Sequence, residues 1–254
     1  MNQVGIYFSG TGNTRYCVEH FVKELHPNNN AYSIEDKNII AILVDADEII
    51  LGYPIYCSNM PMIVQDFIKD NEKLWHNKKV YIIATMRLFS GDGTGVAARL
   101  LKKYNAKIYG GILLNMPDCI IDSNMLKKDE QGEVDMINKA VEQIKVEALN
   151  YLNNNPSQVG LGILSHTSGL LGQRLWSKYM TNSYKDKPKI DHDECITCKA
   201  CINVCPMDNL ALENNKIINL KKCTLCYRCV HTCPTKAITL LGRRVKHKPS
   251  RLLK

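Results

Sequence analysis

The stretch VGIYFSGTGNT, Val4–Thr14, decides the fold of the first half of the chain. Its apolar beginning, Val4–Phe8, has the composition of a buried β-strand. A short run of glycine and hydroxyl residues follows, and then apolar residues recur at helical spacing through Thr14–Leu25. A strand joined to a helix by a short turn is the unit from which doubly wound α/β sheets are built.

Strand and helix patterns continue to alternate as far as Leu152. Apolar strands such as VYIIAT are typical of a parallel sheet buried on both faces. The pattern predicts an α/β domain over residues 1–152, with a doubly wound, five-stranded parallel sheet. The further strands predicted are Ala31–Ile34, Glu48–Leu51, Val80–Thr85 and Ile108–Leu114, and the further helices are Met62–Lys69, Val96–Tyr104 and Val134–Leu152.

The turn after the first strand has the composition of an anion-binding loop. Its glycines let backbone N–H groups approach an anion, its hydroxyls add donors, and the following helix N-terminus supplies a partial positive charge. The lysine of ATP- and GTP-binding loops is absent. The alternative is a turn that has this composition by chance. The candidate residues are Ser9, Gly10, Thr11, Gly12, Asn13 and Thr14.

The pattern Ser9-x-Thr11-Gly12-x-Thr14 at a strand-to-helix junction resembles that of the flavodoxin family, which binds the phosphate of FMN there. The resemblance covers residues 1–152 and implies a flavodoxin-like fold with FMN as cofactor. In such sheets the ligand lies beside strands one and three. Two further flavin-contacting loops are therefore implied, with Tyr56 near the isoalloxazine or, alternatively, covering the base of its own loop. Their candidate residues are Pro54, Ile55, Tyr56 and Asn59, and then Thr85, Met86 and Phe89.

Eight of the eleven cysteines lie in two copies of the motif CxxCxxCxxxCP, which begins at Cys195 and recurs 28 residues later at Cys223. Three thiolates, each separated from the next by two residues, reach three corners of one cubic iron–sulfur cluster. The proline turns the fourth cysteine towards the neighbouring cluster. Tetrahedral zinc is the alternative, although zinc sites usually pair two CxxC knuckles. The predicted ligands are Cys195, Cys198, Cys201 and Cys233 for one cluster, and Cys223, Cys226, Cys229 and Cys205 for the other.

The doubled motif resembles the bacterial ferredoxin family over residues 188–240. That resemblance implies a small α+β domain with two 4Fe-4S clusters. Residues 153–187 are predicted to be a linker with an amphipathic helix, and residues 241–254 a basic tail. The net charge of +8 lies entirely in residues 188–254, which hold 13 Lys and Arg against 5 Asp and Glu. Of the other cysteines, Cys17 and Cys119 are expected to be buried, and Cys57 is expected to pack in its loop rather than react.

The whole chain resembles flavodoxin–ferredoxin fusions of anaerobic bacteria, which implies electron transfer between two 4Fe-4S clusters and FMN. The rival hypothesis is an FMN-dependent reductase of a small organic substrate, and a third is a redox-sensing regulatory binder. Redox proteins with acidic surfaces are the expected partners, and no specific nucleic acid is expected. The sequence shows no secretory signal and no apolar run near the roughly 18 residues of a membrane helix. We therefore expect a cytoplasmic protein without a membrane span.

Overall fold

The computed structural model describes residues 2–56, 59–88, 93–122, 129–162 and 185–241. Its first part is a five-stranded parallel sheet in the order β2-β1-β3-β4-β5. This topology confirms the predicted doubly wound, flavodoxin-like sheet. The strands are β1 (Gln3–Tyr7), β2 (Ala31–Ser33), β3 (Glu48–Pro54), β4 (Lys79–Met86) and β5 (Lys107–Asn115).

Within the described part of the chain, five α-helices and one short 3-10 helix, Glu72–Trp75, alternate with these strands. The last α-helix begins after Asp129, whose carboxylate accepts a hydrogen bond from the Gly132 backbone N–H at 2.8 Å and so caps the first turn. One helix, α2, was not predicted from the sequence. The helices are α1 (Asn13–Leu25), α2 (Ile39–Val44), α3 (Met62–Asp70), α4 (Thr94–Lys103) and α5 (Glu130–Leu152).

Helix α1 packs directly on the centre of the sheet because two strands carry glycine beneath it. A Cβ atom on Gly52 of β3 would lie 2.2 Å from Val18 Cγ2, and one on Gly5 of β1 would lie 2.9 Å from Val18 Cγ1. Contacts below 3.0 Å cannot be accommodated without movement, so glycine at these positions sets how closely the helix approaches. The close approach fixes the start of α1 beside the ends of β1 and β3.

Residues 185–241 form a small α+β module with two antiparallel strand pairs. Strand β6 (Lys189–Ile190) pairs with β9 (Ile238–Thr239), and β7 (Leu210–Glu213) pairs with β8 (Lys216–Asn219). Helices α6 (Ala200–Asn203) and α7 (Arg228–Thr232) lie between them in the chain. Each strand pair and each helix has a counterpart 28 residues away, so the sequence repeat is also a structural repeat.

The chain divides into two compact units that are not consecutive in sequence. Of the described residues, one unit contains 2–9, 13–117 and 129–162, and the other contains 10–12, 118–122 and 185–241. The predicted linker helix and most of the basic tail lie outside the described residues. Among the helices that are described, none has the length and apolar character to cross a membrane.

Candidate functional site

The three candidate flavin loops follow β1, β3 and β4, which are neighbours in the sheet. Because the strands are parallel, their carboxyl ends lie along one edge, and the loops start side by side there. The backbone N–H of Ile55, just after β3, donates to the carbonyl of Thr85 in β4 at 2.8 Å. A backbone hydrogen bond therefore connects the second and third loops where they leave the sheet.

The candidate phosphate loop has a donor set that fits an anion. Ser9, Thr11, Asn13 and Thr14 are all buried, with Thr14 only 1% exposed. Gly12 has a φ of 91°, a left-handed conformation that glycine adopts without steric cost. The first turn of the 13-residue helix α1 contains no acidic residue, so nothing there opposes a bound phosphate.

Two side chains of this loop form hydrogen bonds with residues at the ends of other strands. The Asn13 side-chain amide donates to the Pro117 carbonyl after β5 at 2.7 Å. The Thr14 and Thr85 hydroxyls lie 2.8 Å apart and share a hydrogen bond. A hydroxyl can accept one hydrogen bond while donating another, so Thr14 can accept from Thr85 and still donate to a phosphate.

Tyr56 and Asn59 of the second candidate loop are paired through their backbones. The backbone N–H of each donates to the carbonyl of the other at 3.0 Å, and the Asn59 side chain accepts from the Met60 N–H at 2.8 Å. Tyr56 is partly exposed, as are Pro54 and Ile55. The pairing fixes the backbones of Tyr56 and Asn59 relative to each other.

The third candidate loop leaves β4 at Thr85, which is buried, and Met86, which is partly exposed. The described residues resume at Gly93, whose carbonyl accepts a hydrogen bond from the Tyr53 hydroxyl at 2.8 Å. The predicted contact Phe89 lies outside the described residues, and so does Cys57 of the second loop.

Four cysteines from both motif copies line one cavity in the second unit. Cys195, Cys198 and Cys201 of the first copy face it together with Cys233 of the second. The four thiols line this cavity together, which fits a cluster whose irons occupy separate corners. Among the described residues, no three His, Cys, Asp or Glu side chains are arranged to hold one metal ion.

The other four cysteines influence one another electrostatically, which indicates that they lie together. Burial, with the charge of Cys223 and Cys205, raises the pKa of Cys226 to about 12. Burial, with the charge of Cys205, likewise raises the pKa of Cys223 to about 11. Burial, followed by the charges of Cys226, Cys223, Cys205 and, last, Cys201 of the other group, raises the pKa of Cys229 well above its usual value. Bound iron would lower these pKa values, because a metal ion stabilises the thiolate form of its ligands.

Both cysteine loops use the same strained backbone. The left-handed residues Thr197, Lys199 and Asp208 recur 28 positions later as Leu225, Tyr227 and Lys236. None of them is glycine, and a left-handed conformation costs such residues about 1–2 kcal/mol each. Their recurrence shows that the winding of the loop is retained in both copies. Strain of this kind persists where the surrounding structure requires it, as at a ligand-binding loop.

Backbone N–H groups also point at the sulfur atoms of the two cysteines predicted to cross. The Asn209 N–H donates to Cys205 Sγ at 3.3 Å, and the equivalent Ala237 N–H donates to Cys233 Sγ at 3.2 Å. Hydrogen bonds of this type stabilise thiolate ligands and influence cluster reduction potentials.

Residues 118–122 belong to the unit that contains the cysteine motifs, although nothing in the sequence predicted this. They follow β5, and Ile121 is part of the apolar core that includes Cys201, Cys229 and Ile238. The Cys119 carbonyl lies 2.9 Å from His231 Nε2. No local pattern could have revealed this packing, because its partners lie 80 or more residues away in the chain, from Ile121 to Cys201 and from Cys119 to His231. Cys119 itself is partly buried, whereas Cys17 is fully buried, which raises its pKa to about 12.

Comparison with known proteins finds two domain families in the chain. Residues 5–108 match the model of a flavodoxin domain, and residues 187–234 match that of a 4Fe-4S dicluster domain. No curated protein matches the chain.

Several solved structures are similar to the first part of the chain. Two-electron reduced Megasphaera elsdenii flavodoxin is 20% identical over 56% of this chain and 98% of its own, with a TM-score of 0.40. Oxidised Flavodoxin 2 from Bacillus cereus is 17% identical over 60% of this chain and 99% of its own, with a TM-score of 0.45. Rubredoxin oxygen:oxidoreductase from the anaerobe Desulfovibrio gigas is 14% identical over 60% of this chain and 37% of its own, with a TM-score of 0.41.

The chain is therefore a fusion of a flavodoxin domain with a 4Fe-4S dicluster domain. A flavodoxin domain implies FMN, and a 4Fe-4S dicluster domain implies iron–sulfur cofactors. Together these domains define an iron–sulfur flavoprotein of electron transfer.

Proposed function

We propose that the protein transfers electrons between two 4Fe-4S clusters and one FMN bound to the same chain. The observation that carries this proposal is the grouping of the eight cysteines. Four of them line one cavity, with Cys233 of the second motif among three cysteines of the first. Cys205 of the first motif is a cause of the raised pKa values of the other three, Cys223, Cys226 and Cys229.

Each group of residues has a defined part in this proposal. The loop from Ser9 to Thr14 holds the FMN phosphate through hydroxyl and backbone N–H donors. Tyr56, Asn59 and the end of β4 would contact the isoalloxazine. Bound FMN supplies a centre that accepts one or two electrons, whereas each cluster exchanges one.

Its partners are proposed to be redox proteins with acidic surfaces. This follows from the surplus of basic residues in residues 188–254, which hold 13 Lys and Arg against 5 Asp and Glu. Complementary charge steers such encounters and makes their rates sensitive to salt.

Chemical analysis of anaerobically purified protein is the first test. We expect eight irons, eight acid-labile sulfides and one FMN per chain. Four irons, or zinc in their place, would contradict the assignment of two clusters.

Rapid reduction of the clusters followed by absorbance spectroscopy is the second step of that test. Electrons should reach FMN at a rate that does not change when the protein is diluted, because transfer occurs within one chain. A rate proportional to protein concentration would count against internal transfer. Turnover of a small organic compound by the reduced protein would favour the reductase hypothesis instead.

A further inference from the structure

Asp122 is a buried carboxylate in the cluster unit that comes from the segment after β5. It is only 1% exposed. One of its oxygens accepts from the Tyr227 hydroxyl at 3.0 Å, and the other accepts from the backbone N–H groups of Leu240 and Leu241 at 2.7 and 2.8 Å. All three donors are neutral groups, so they stabilise the carboxylate without cancelling its charge.

Tyr227 connects this carboxylate to the cysteine loop of the second motif. It lies between Cys226 and Cys229, is 3% exposed and has the left-handed φ of 61°. The equivalent residue in the first motif is Lys199, which is exposed and has nearly the same φ of 62°. The same contrast extends along the loops, since Cys198 is exposed and its counterpart Cys226 is buried. The two loops therefore have the same backbone conformation but differ in how deeply their side chains are buried.

We propose that Asp122 is a positioning residue for the cluster assigned to Cys205, Cys223, Cys226 and Cys229. Its carboxylate holds the loop from Cys226 to Cys229 in place through Tyr227, and it adds one buried negative charge near that cluster. A negative charge opposes the addition of an electron, so it lowers the reduction potential of this cluster relative to the other. The inference rests on the proposed binding of two clusters and names what makes them unequal.

The test uses the complete holoprotein, purified anaerobically, and the variant Asp122→Asn. Asparagine keeps an acceptor oxygen and the size of the side chain but removes the charge. A potentiometric titration followed by electron paramagnetic resonance resolves the one-electron steps. The variant Cys226→Ser identifies the step that belongs to the cluster of Cys223, Cys226 and Cys229, which we call the buried cluster. We expect Asp122→Asn to shift that step to a more positive potential and to shift the other step less, with FMN and iron contents unchanged.

Asp118→Asn is the matched control. Asp118 lies four residues earlier in the same segment, is partly exposed, and accepts from the nearby Ile120 N–H at 3.1 Å. Asp118→Asn removes a charge of the same size whose influence on Tyr227 is weaker than that of Asp122, so its effect on the cluster of Cys223, Cys226 and Cys229 should be smaller. Equal potentials in the two variants would overturn the proposal and leave the proposed function intact, whereas a wild-type protein with only one cluster would overturn both.

Tyr227→Phe tests the contact without changing the charge, and it applies even where Asp122→Asn does not fold. Losing one hydroxyl hydrogen bond should speed iron release from the buried cluster to a chelator by about two- to tenfold. Release from the cluster of Cys195 should stay at the wild-type rate. Equal acceleration at both clusters, or at neither, would overturn the role of Tyr227 as the connection.

Discussion

Gly12 is the residue on which the candidate phosphate loop depends most directly. Its φ of 91° lies in a region that side chains with a Cβ atom avoid, and valine there would cost about 1–2 kcal/mol in backbone energy alone. The added side chain would also stand where a phosphate approaches the backbone. We therefore expect Gly12→Val to weaken FMN binding by at least about tenfold, measured by flavin fluorescence quenching, with iron content preserved.

Gly160 provides the control for this substitution. It also has a positive φ, 79°, but it lies far from the loop in the sequence. Gly160→Val should carry a similar backbone strain and leave FMN affinity at the wild-type value. Riboflavin lacks the phosphate, so wild-type protein should bind it far more weakly than FMN. Equal affinities for riboflavin and FMN would show that the loop does not bind a phosphate.

At the scale of elements, the two cysteine loops are predicted to exchange their fourth ligands. Cys205→Ala should destroy the cluster of Cys223, Cys226 and Cys229 and leave that of Cys195 comparatively intact. Cys233→Ala, the equivalent change in the second copy, should do the reverse. Electron paramagnetic resonance and Mössbauer spectroscopy of the reduced variants would identify the surviving cluster. Loss of the cluster nearer in sequence to the substituted cysteine would contradict the crossing.

The elements that could be predicted from the sequence are those with a strong local period. The strand VYIIAT and the helices α1, α3, α4 and α5 were expected within a few residues of their observed ends. Helix α2 was missed because Ile39–Val44 is apolar throughout, and periodicity cannot distinguish a short apolar helix from a strand. The sequence pattern therefore predicted the edge of the sheet that carries the candidate flavin loops, but not every element around it.

The candidate site shows the same limit in its contacts. The grouping of cysteines from both motifs was predicted from their spacing, because the reach of a short loop is a local property. The role of Asp122 was not, because its partners Tyr227 and Leu240 lie 105 and 118 residues further along the chain. A single aspartate after a strand has no distinguishing neighbours in the sequence. Only the folded chain shows which donors surround it.

At the scale of the whole molecule, the two units are interleaved in sequence rather than placed end to end. Residues 118–122 leave the last strand of the flavodoxin sheet and pack within the unit that carries the cysteines. The chain then returns to the first unit to form α5, from Glu130 to Leu152. We therefore expect the stability of this short segment to depend on the clusters and not on the sheet that precedes it.

Removing the iron tests this expectation. Metal binding contributes much of the folding free energy of a small cluster domain, so iron-free protein should lose structure in residues 185–241. Because Asp122 is held by Tyr227, Leu240 and Leu241, the segment 118–122 should open with them. Anaerobic chelation followed by hydrogen exchange and mass spectrometry should show amides of 118–122 exchanging at least about a hundredfold faster, while β3 and β4 stay protected. Removing FMN alone is the control and should leave this segment unchanged. If 118–122 keeps its protection together with β5 after the iron is gone, the segment is stabilised by the sheet and the interleaved arrangement is wrong.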